Sequence, residues 1–280
     1  MIVDVHAHVF RVPEDVDPTF LRDLKRAYHG RDIDFNVTFE ALMGAMASCD
    51  RVICFGMRAL KTGLHTPNEY VAGVVARAPE KLIGFMSLDP NEPAWLDDFE
   101  HSLKDLKLRG VKLAPLYADF DPRDRKLDEL YSRCVANNLP ILFHAGTSFV
   151  QFGPVEWGKP YLWDEVARRF PDLRMVLAHL GHPWEGECIA VIRKHPNVYA
   201  DVSALCYRPW QFYNSMRLAE EYGVQHKLLF GTDYHFTTPE SAFAGSRGVN
   251  RICEGTSLPG VDPEALEEML HRDAVRLLWS

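Results

Sequence analysis

The feature that most constrains this chain is an alternation kept up along its whole length. Eight short apolar runs, at 2–8, 51–56, 81–86, 110–114, 140–144, 173–179, 197–202 and 227–233, are each bounded by turn residues and separated by segments with helical spacing. Runs this short, rich in Val, Ile, Leu and Phe, look like strands buried on both faces. The helical patterns fall at 38–48, 67–78, 93–108, 127–137, 162–170, 186–194 and 210–222, and a last one runs from 263 to the end. A shorter helical stretch at 19–28 lies inside the first connection. Local signals agree with this partition. Thr38 stands as a helix cap with Glu40 in the first turn, Thr66-Pro67 and Asp262-Pro263 open helices, and Asn137-Asn138 closes one.

Strict alternation predicts an α/β protein with a parallel sheet and helical crossovers. Eight units, with no Pro/Gly/Ser linker to mark a boundary, predict a single-domain (β/α)8 TIM barrel over 1–280, with long βα loops at about 9–37 and 234–261. The competing architecture is an open doubly wound sheet. Its phosphate cradle, a GxGxxG or GxxxxGK[ST] after a strand, is missing from the sequence.

Composition narrows the partners. A hydrophobic share of 47% with 25% charged residues is that of an ordinary globular chain, which excludes a disordered one. The net charge of −8, without a basic block, argues against nucleic acid or an anionic membrane and leaves a small-molecule substrate as the expected partner. The chain shows neither a signal-peptide pattern nor an apolar run of about eighteen residues, so a cytoplasmic location is expected. The six cysteines include no CxxC pair and read as buried free thiols. Cys206 alone falls beside a candidate pocket wall, with nothing nearby to lower its pKa.

Barrels of this kind place their chemistry at the C-terminal ends of the strands. The first run ends in Asp4-Val5-His6-Ala7-His8. In an extended strand His6 and His8 share a face with Asp4 one step below, an arrangement that reads equally as a metal site or as polar residues at a strand end. The other ends tip the balance. Lys112 lies on the fourth run, His144 ends the fifth, His179 ends the sixth with His182 after it, and Asp233 ends the eighth. Phe10, Phe149, Phe152, Trp157, Trp184, Tyr207, Trp210 and Tyr234 fall on the connecting loops, where they suit either a flat substrate or ordinary packing. Arg58 and Arg208 are candidate carboxylate partners at the same rim, or plain surface arginines.

The ordered set Asp4-Val5-His6-Ala7-His8, Gly110-Val111-Lys112-Leu113, Phe143-His144-Ala145-Gly146, Ala178-His179-Leu180-Gly181 and Phe230-Gly231-Thr232-Asp233 resembles the amidohydrolase superfamily over the whole chain. It is most similar to the branch that includes aminocarboxymuconate-semialdehyde decarboxylase, γ-resorcylate decarboxylase and pyrone-dicarboxylate lactonase. The resemblance implies one divalent metal ion, most often Zn2+, held by His6, His8, His144 and Asp233 with positions open for water and substrate. It assigns proton transfer to Asp233, and to His179 either substrate polarisation or proton shuttling. Lys112 sits where binuclear relatives carry a carbamylated lysine. In a one-metal branch it is expected to anchor a substrate carboxylate or carbonyl, or to form a buried ion pair. His182 and Trp184 are expected at the substrate, with a solvent-facing place as the alternative for His182. Asp4 either orients a ligand histidine or meets a neighbouring strand.

The expected activity is metal-dependent hydrolysis, with zinc-activated water attacking an ester, lactone or amide of a small, aromatic or carboxylate-bearing substrate. The alternative is nonoxidative decarboxylation of an aromatic or muconate-type acid. A metal-binding barrel without turnover is the third. Several relatives in the branch are dimers, so a homodimer is a further expectation.

Overall fold

A computed structural model describes residues 1–29 and 34–280, so part of the first long loop lies outside the described residues. Eight parallel strands follow the chain in order: β1 (Val3–His8), β2 (Arg51–Phe55), β3 (Leu82–Ser87), β4 (Val111–Leu113), β5 (Ile141–Phe143), β6 (Met175–Leu177), β7 (Val198–Asp201) and β8 (Leu228–Leu229). The seam between β8 and β1 is drawn together by three hydrogen bonds. Val5 N donates to Phe230 O at 3.0 Å, Asp233 N to His6 O at 2.9 Å and His8 N to Tyr234 O at 2.8 Å. The result is the expected (β/α)8 barrel.

Side chains alternate between two apolar layers, as the pleat requires. Val52, Cys54, Val111, Leu113, Ile141 and Phe143 face the helices, whereas Ile53, Phe55, Ile83, Phe85, Leu142 and Val176 fill the barrel interior. The interior layer is closed from below by the last helix, Ala274–Trp279, which inserts Ala274 and Leu278 among those residues and sets Trp279 against Phe85 at 6.0 Å.

The first strand breaks the alternation. Its register against β2 shifts between Asp4 and Ala7. Val3 and Val5 belong to the interior layer, yet His6, the next residue, also points inward and lies 5.1 Å from the Phe55 ring. A bulge is what allows two consecutive side chains to share a face. Asp4 therefore does not lie below the histidines. Its carboxylate accepts from His6 N at 2.9 Å and from Thr232 N and Oγ1 at 3.1 and 2.6 Å, so of its two expected roles it fills that of meeting the neighbouring strand.

The long connections are more structured than their sequence suggests. The stretch expected as a loop at 234–261 contains a helix, Pro239–Arg247, capped by Thr238, whose Oγ1 accepts from Ser241 N, and then a short 3-10 turn. The final helix is two, Pro263–Leu270 and Ala274–Trp279, because Asp273 caps the second by accepting from Arg276 N at 2.9 Å. In the first connection, helix Pro18–Ala27 docks on the loop after β5. Arg26 donates to Gln151 Oε1 and Phe149 O, both at 3.2 Å, and Asp23 accepts from Gln151 N. Five cysteines are buried free thiols and Cys253 is half-buried. Among the described residues no helix is long and apolar enough to cross a membrane.

Candidate active site

The C-terminal ends of β1, β5, β6 and β8 bring His6, His8, His144, His179 and Asp233 together. The His6 and His8 rings are 5.2 Å apart between centroids, His6 and His179 4.8 Å, and His144 and His179 5.2 Å. Asp233 Oδ1 lies 3.2 Å from His8 Nε2 and 3.4 Å from His6 Nε2. Among the described residues, the compact set of potential metal donors is His6, His179 and Asp233, with ligand atoms within 4.8 Å of one another. His144 turns its Nε2 to Thr147 O at 3.2 Å.

The backbone is bent to make this convergence. His179, Ala204 and Asp233, at the ends of β6, β7 and β8, have φ of 58°, 60° and 60°. Left-handed conformations in non-glycine residues cost of order 1–3 kcal/mol each and persist where the surroundings impose them. Gly231 serves the same geometry differently: a Cβ there would meet the His6 Cβ at 3.0 Å.

Burial governs the charges. His6, His8, His144 and His179 are held well below the ordinary imidazole pKa, first by loss of solvent and then by like charges, Lys112 for three of them and His6 for His179. Their rings are neutral and free to coordinate. Burial also raises the Asp233 carboxyl against the pull of the Lys112 charge, and lowers the Lys112 ammonium against the pull of Asp201 and Asp233. His182 is pushed down to about 4 by burial and by the charge of Arg208.

These residues fit a divalent ion. Two neutral imidazole nitrogens and a carboxylate oxygen converge on one space, and a positive charge between them would relieve the crowding of acceptor atoms. His8 Nδ1 is buried with no hydrogen-bond partner among the described residues. Mixed imidazole and carboxylate donors facing an open pocket are the set that a catalytic zinc site requires.

The donors open into a pocket of about 330 Å³. His8, His144, His179, His182 and Asp233 line its polar side, and Phe10, Phe20, Tyr28, Phe35, Phe149 and Phe236 are among its aromatic walls. Of the loop aromatics singled out in the sequence, Phe10, Phe149 and Tyr207 reach it. Trp184 and Lys112 stand back from its lining, and the burial of Lys112 beside the Asp201 and Asp233 charges matches the alternative expected for it, a buried charge pairing. Trp184 faces Lys159 instead. Lys112 is fully buried beneath the rim, its Nζ 3.4 Å from His6 Nε2 and 4.5 Å above the Phe55 ring, because its strand position directs it into the barrel interior.

The two arginines part company. Arg58 is engaged by Glu92 and Asp98. Arg208 lines the pocket, stacks over the Tyr207 ring at 4.6 Å and donates to Ala204 O, and it meets no carboxylate among the described residues.

Sequence reasoning missed Asp201 and Ser203. Asp201 closes β7, is fully buried and accepts from His6 Nδ1 at 3.0 Å, from His179 N at 2.9 Å and from Ser203 N at 3.0 Å. Ser203 Oγ lies 2.7 Å from His179 Nδ1 and donates to Asp201. The available signal was an acid at the end of a buried strand, the criterion that found Asp233.

Three comparisons bear on this geometry. A family model described as "Amidohydrolase" matches residues 3–278. No curated protein matches the chain by sequence. Among solved structures, an uncharacterised TIM-barrel protein from Bordetella bronchiseptica superposes with a TM-score of 0.75 at 24% identity, covering 99% of this chain and 98% of that one. A 5-carboxyvanillate decarboxylase from Sphingomonas paucimobilis has a TM-score of 0.65 at 15% identity, with coverage of 99% and 98%. A probable 2-pyrone-4,6-dicarboxylic acid hydrolase from Acinetobacter baumannii, with citric acid bound, also has a TM-score of 0.65 at 15% identity, with coverage of 96% and 98%. At these identities the likeness is one of fold.

Proposed function

The chain belongs to the amidohydrolase family, and from that premise we propose that it is a metal-dependent hydrolase of a small carboxylate-bearing ester, lactone or amide. The observation that carries the reading is the convergence of His6, His8, His179 and Asp233 on a pocket with aromatic walls and the Arg208 guanidinium at its side. His6, His8 and Asp233 would hold one divalent ion, with His144, its Nε2 turned to Thr147 O, offering its other ring nitrogen and His179 of the compact donor set kept for proton transfer; zinc is the ion this set suits best. Such an ion would supply Lewis-acid polarisation of the scissile carbonyl and acidify water.

The remaining work falls to the side chains. Asp233, its carboxyl raised by burial, takes a proton near neutral pH and returns it to the leaving group. His179 stands beside it to move a second proton. Arg208 holds the substrate's carboxylate by charge-assisted hydrogen bonds, and the aromatic walls exclude water and orient a flat body between them.

Nonoxidative decarboxylation of an aromatic acid is the second reading, favoured by the number of aromatic rings around the pocket. It uses the same residues and differs in product. Metal quantification followed by a panel of lactones, amides and aromatic acids in ¹⁸O-labelled water separates them. Label in the product acid, lost on chelation and regained with zinc, is expected. Carbon dioxide release without label would replace hydrolysis by decarboxylation, and full activity in metal-free protein would sink both.

A further inference from the structure

We infer that Asp201 is a positioning residue that decides which nitrogen of His6 carries the proton and, through Ser203, braces the same choice at His179: both rings hold the proton on Nδ1 and keep the lone pair on Nε2. The argument starts from groups that can only accept. A carboxylate has no hydrogen to give, so the 3.0 Å contact between His6 Nδ1 and Asp201 Oδ2 places the proton on the ring nitrogen. At the opposite nitrogen the neighbours are more distant and mixed, Lys112 Nζ as a donor and Asp233 Oδ1 as an acceptor, each 3.4 Å from His6 Nε2, so the shorter Asp201 contact decides.

For His179 the deciding group is a backbone carbonyl. Its Nδ1 faces Ser203 O at 3.3 Å and Ser203 Oγ at 2.7 Å. The carbonyl accepts only. The serine hydroxyl spends its own hydrogen on Asp201 Oδ1, so it also presents a lone pair to the ring. Asp201 therefore reaches His6 directly and His179 through Ser203, and its Oδ1 also accepts from the His179 and Ser203 backbone N–H groups. One buried carboxylate thus fixes the tautomer of His6 and braces that of His179, which comes from a different strand.

The consequence is specific. With Nδ1 protonated, His6 offers a metal its Nε2, and neutral His179 meets the pocket as a proton acceptor. A carboxylate behind a ligand imidazole also raises the basicity of the ligand nitrogen. Only the metal-binding consequence rests on the proposed function, since the tautomers follow from hydrogen-bond chemistry alone.

Asp201→Asn tests this by its asymmetry. The amide must keep its oxygen where Oδ1 stood, because two backbone donors and a hydroxyl point there. Its NH2 then takes the place of Oδ2 and faces His6 Nδ1 as a donor at 3.0 Å, closer than Ser203 Oγ at 3.3 Å, so the ring's lone pair is drawn to Nδ1 and the proton to Nε2, where Asp233 Oδ1 can accept it. Long-range ¹H–¹⁵N spectra of the full chain, labelled at histidine, stripped of metal and assigned with His6→Gln and His179→Gln, read both rings directly. Nδ1–H is expected for both in the parent. In Asp201→Asn, His6 should invert to Nε2–H while His179 stays unchanged, and titration with zinc should show affinity about 10–100-fold weaker. A parent spectrum with His6 protonated on Nε2, or an Asp201→Asn chain whose His6 keeps Nδ1–H, overturns the inference, and the parent spectrum decides alone if the variant fails to fold. A parent with both rings as Nδ1–H that takes up no zinc supports the inference and removes the metal-dependent reading instead.

Discussion

Asp233 is the residue where backbone and chemistry constrain each other most tightly. Its left-handed backbone turns the carboxylate to within 3.2 Å of His8 Nε2, and burial keeps that carboxyl able to exchange a proton near neutral pH. Asp233→Asn preserves shape and removes both proton exchange and charge. Its kcat should fall by about 10²–10⁴-fold, with a melting temperature close to that of the parent; an unchanged turnover would remove Asp233 from the mechanism. Arg208 makes a complementary prediction. Arg208→Gln should raise KM by about 10–100-fold for carboxylate-bearing substrates and leave their neutral analogues almost unaffected, measured in steady-state kinetics. The residue types at the rim were legible because chemistry restricts them: histidines and an acid at the ends of buried runs have few bland uses in combination. The difference between Arg58 and Arg208 was not legible. It depends on Glu92 and Asp98 standing beside the first, a matter of three-dimensional neighbours that spacing does not encode.

Single helices and strands show where local signals suffice and where they fail. The helix Pro239–Arg247 has the same Thr-Pro opening that marked the helix near 67, yet the apolar period behind it is weak, so its span reads as loop. Asp201 went unnoticed for a related reason. Its place at the end of a buried run was the one signal, and without a histidine beside it in sequence its partners come into view only when β7 lies between β6 and β8. Elements are also tied together by charge. Asp164, on helix Leu162–Arg169, accepts from Lys194 Nζ at 2.6 Å, His195 Nε2 at 2.8 Å and Arg168 Nε at 3.1 Å, which links that helix to the end of Glu185–Lys194. Burial pushes its carboxyl pKa up, but these donors outweigh it and hold the pKa well below the ordinary value. A depressed folded pKa stabilises the protein above the unfolded value near 4, and this contribution disappears as pH falls through the folded one. Discounted for partial exposure, Asp164→Asn should cost about 1 kcal/mol at pH 7. Urea melts at successive pH values should show the gap from the parent closing under acid conditions; a gap that widens there would refute the assignment.

At the scale of the molecule, the barrel separates a foundation from a working rim. The foundation is the interior layer closed by Ala274–Trp279, with Leu278 fully buried. Leu278→Ala should therefore remove about 2–5 kcal/mol of stability, seen in denaturant unfolding, while KM for substrate stays at the parent value because the pocket lies at the opposite end. A large KM change would mean that the two ends are coupled. This architecture was the most legible property of the sequence, since eight alternations leave few topologies open. The register of β1 was not legible, because a bulge inserts no marker residue and a plain count of alternate positions carries Asp4 to the wrong face. That same bulge has an evolutionary consequence. Val3 and Val5 answer to packing and His6 and His8 to chemistry, and the bulge at the junction of Val5 and His6 releases the two sets from a common parity. Lineages descended from such a barrel can exchange the rim's reactive groups without rewriting the floor beneath them, and one deletion in this strand would erase the chemistry while leaving a well-packed barrel behind.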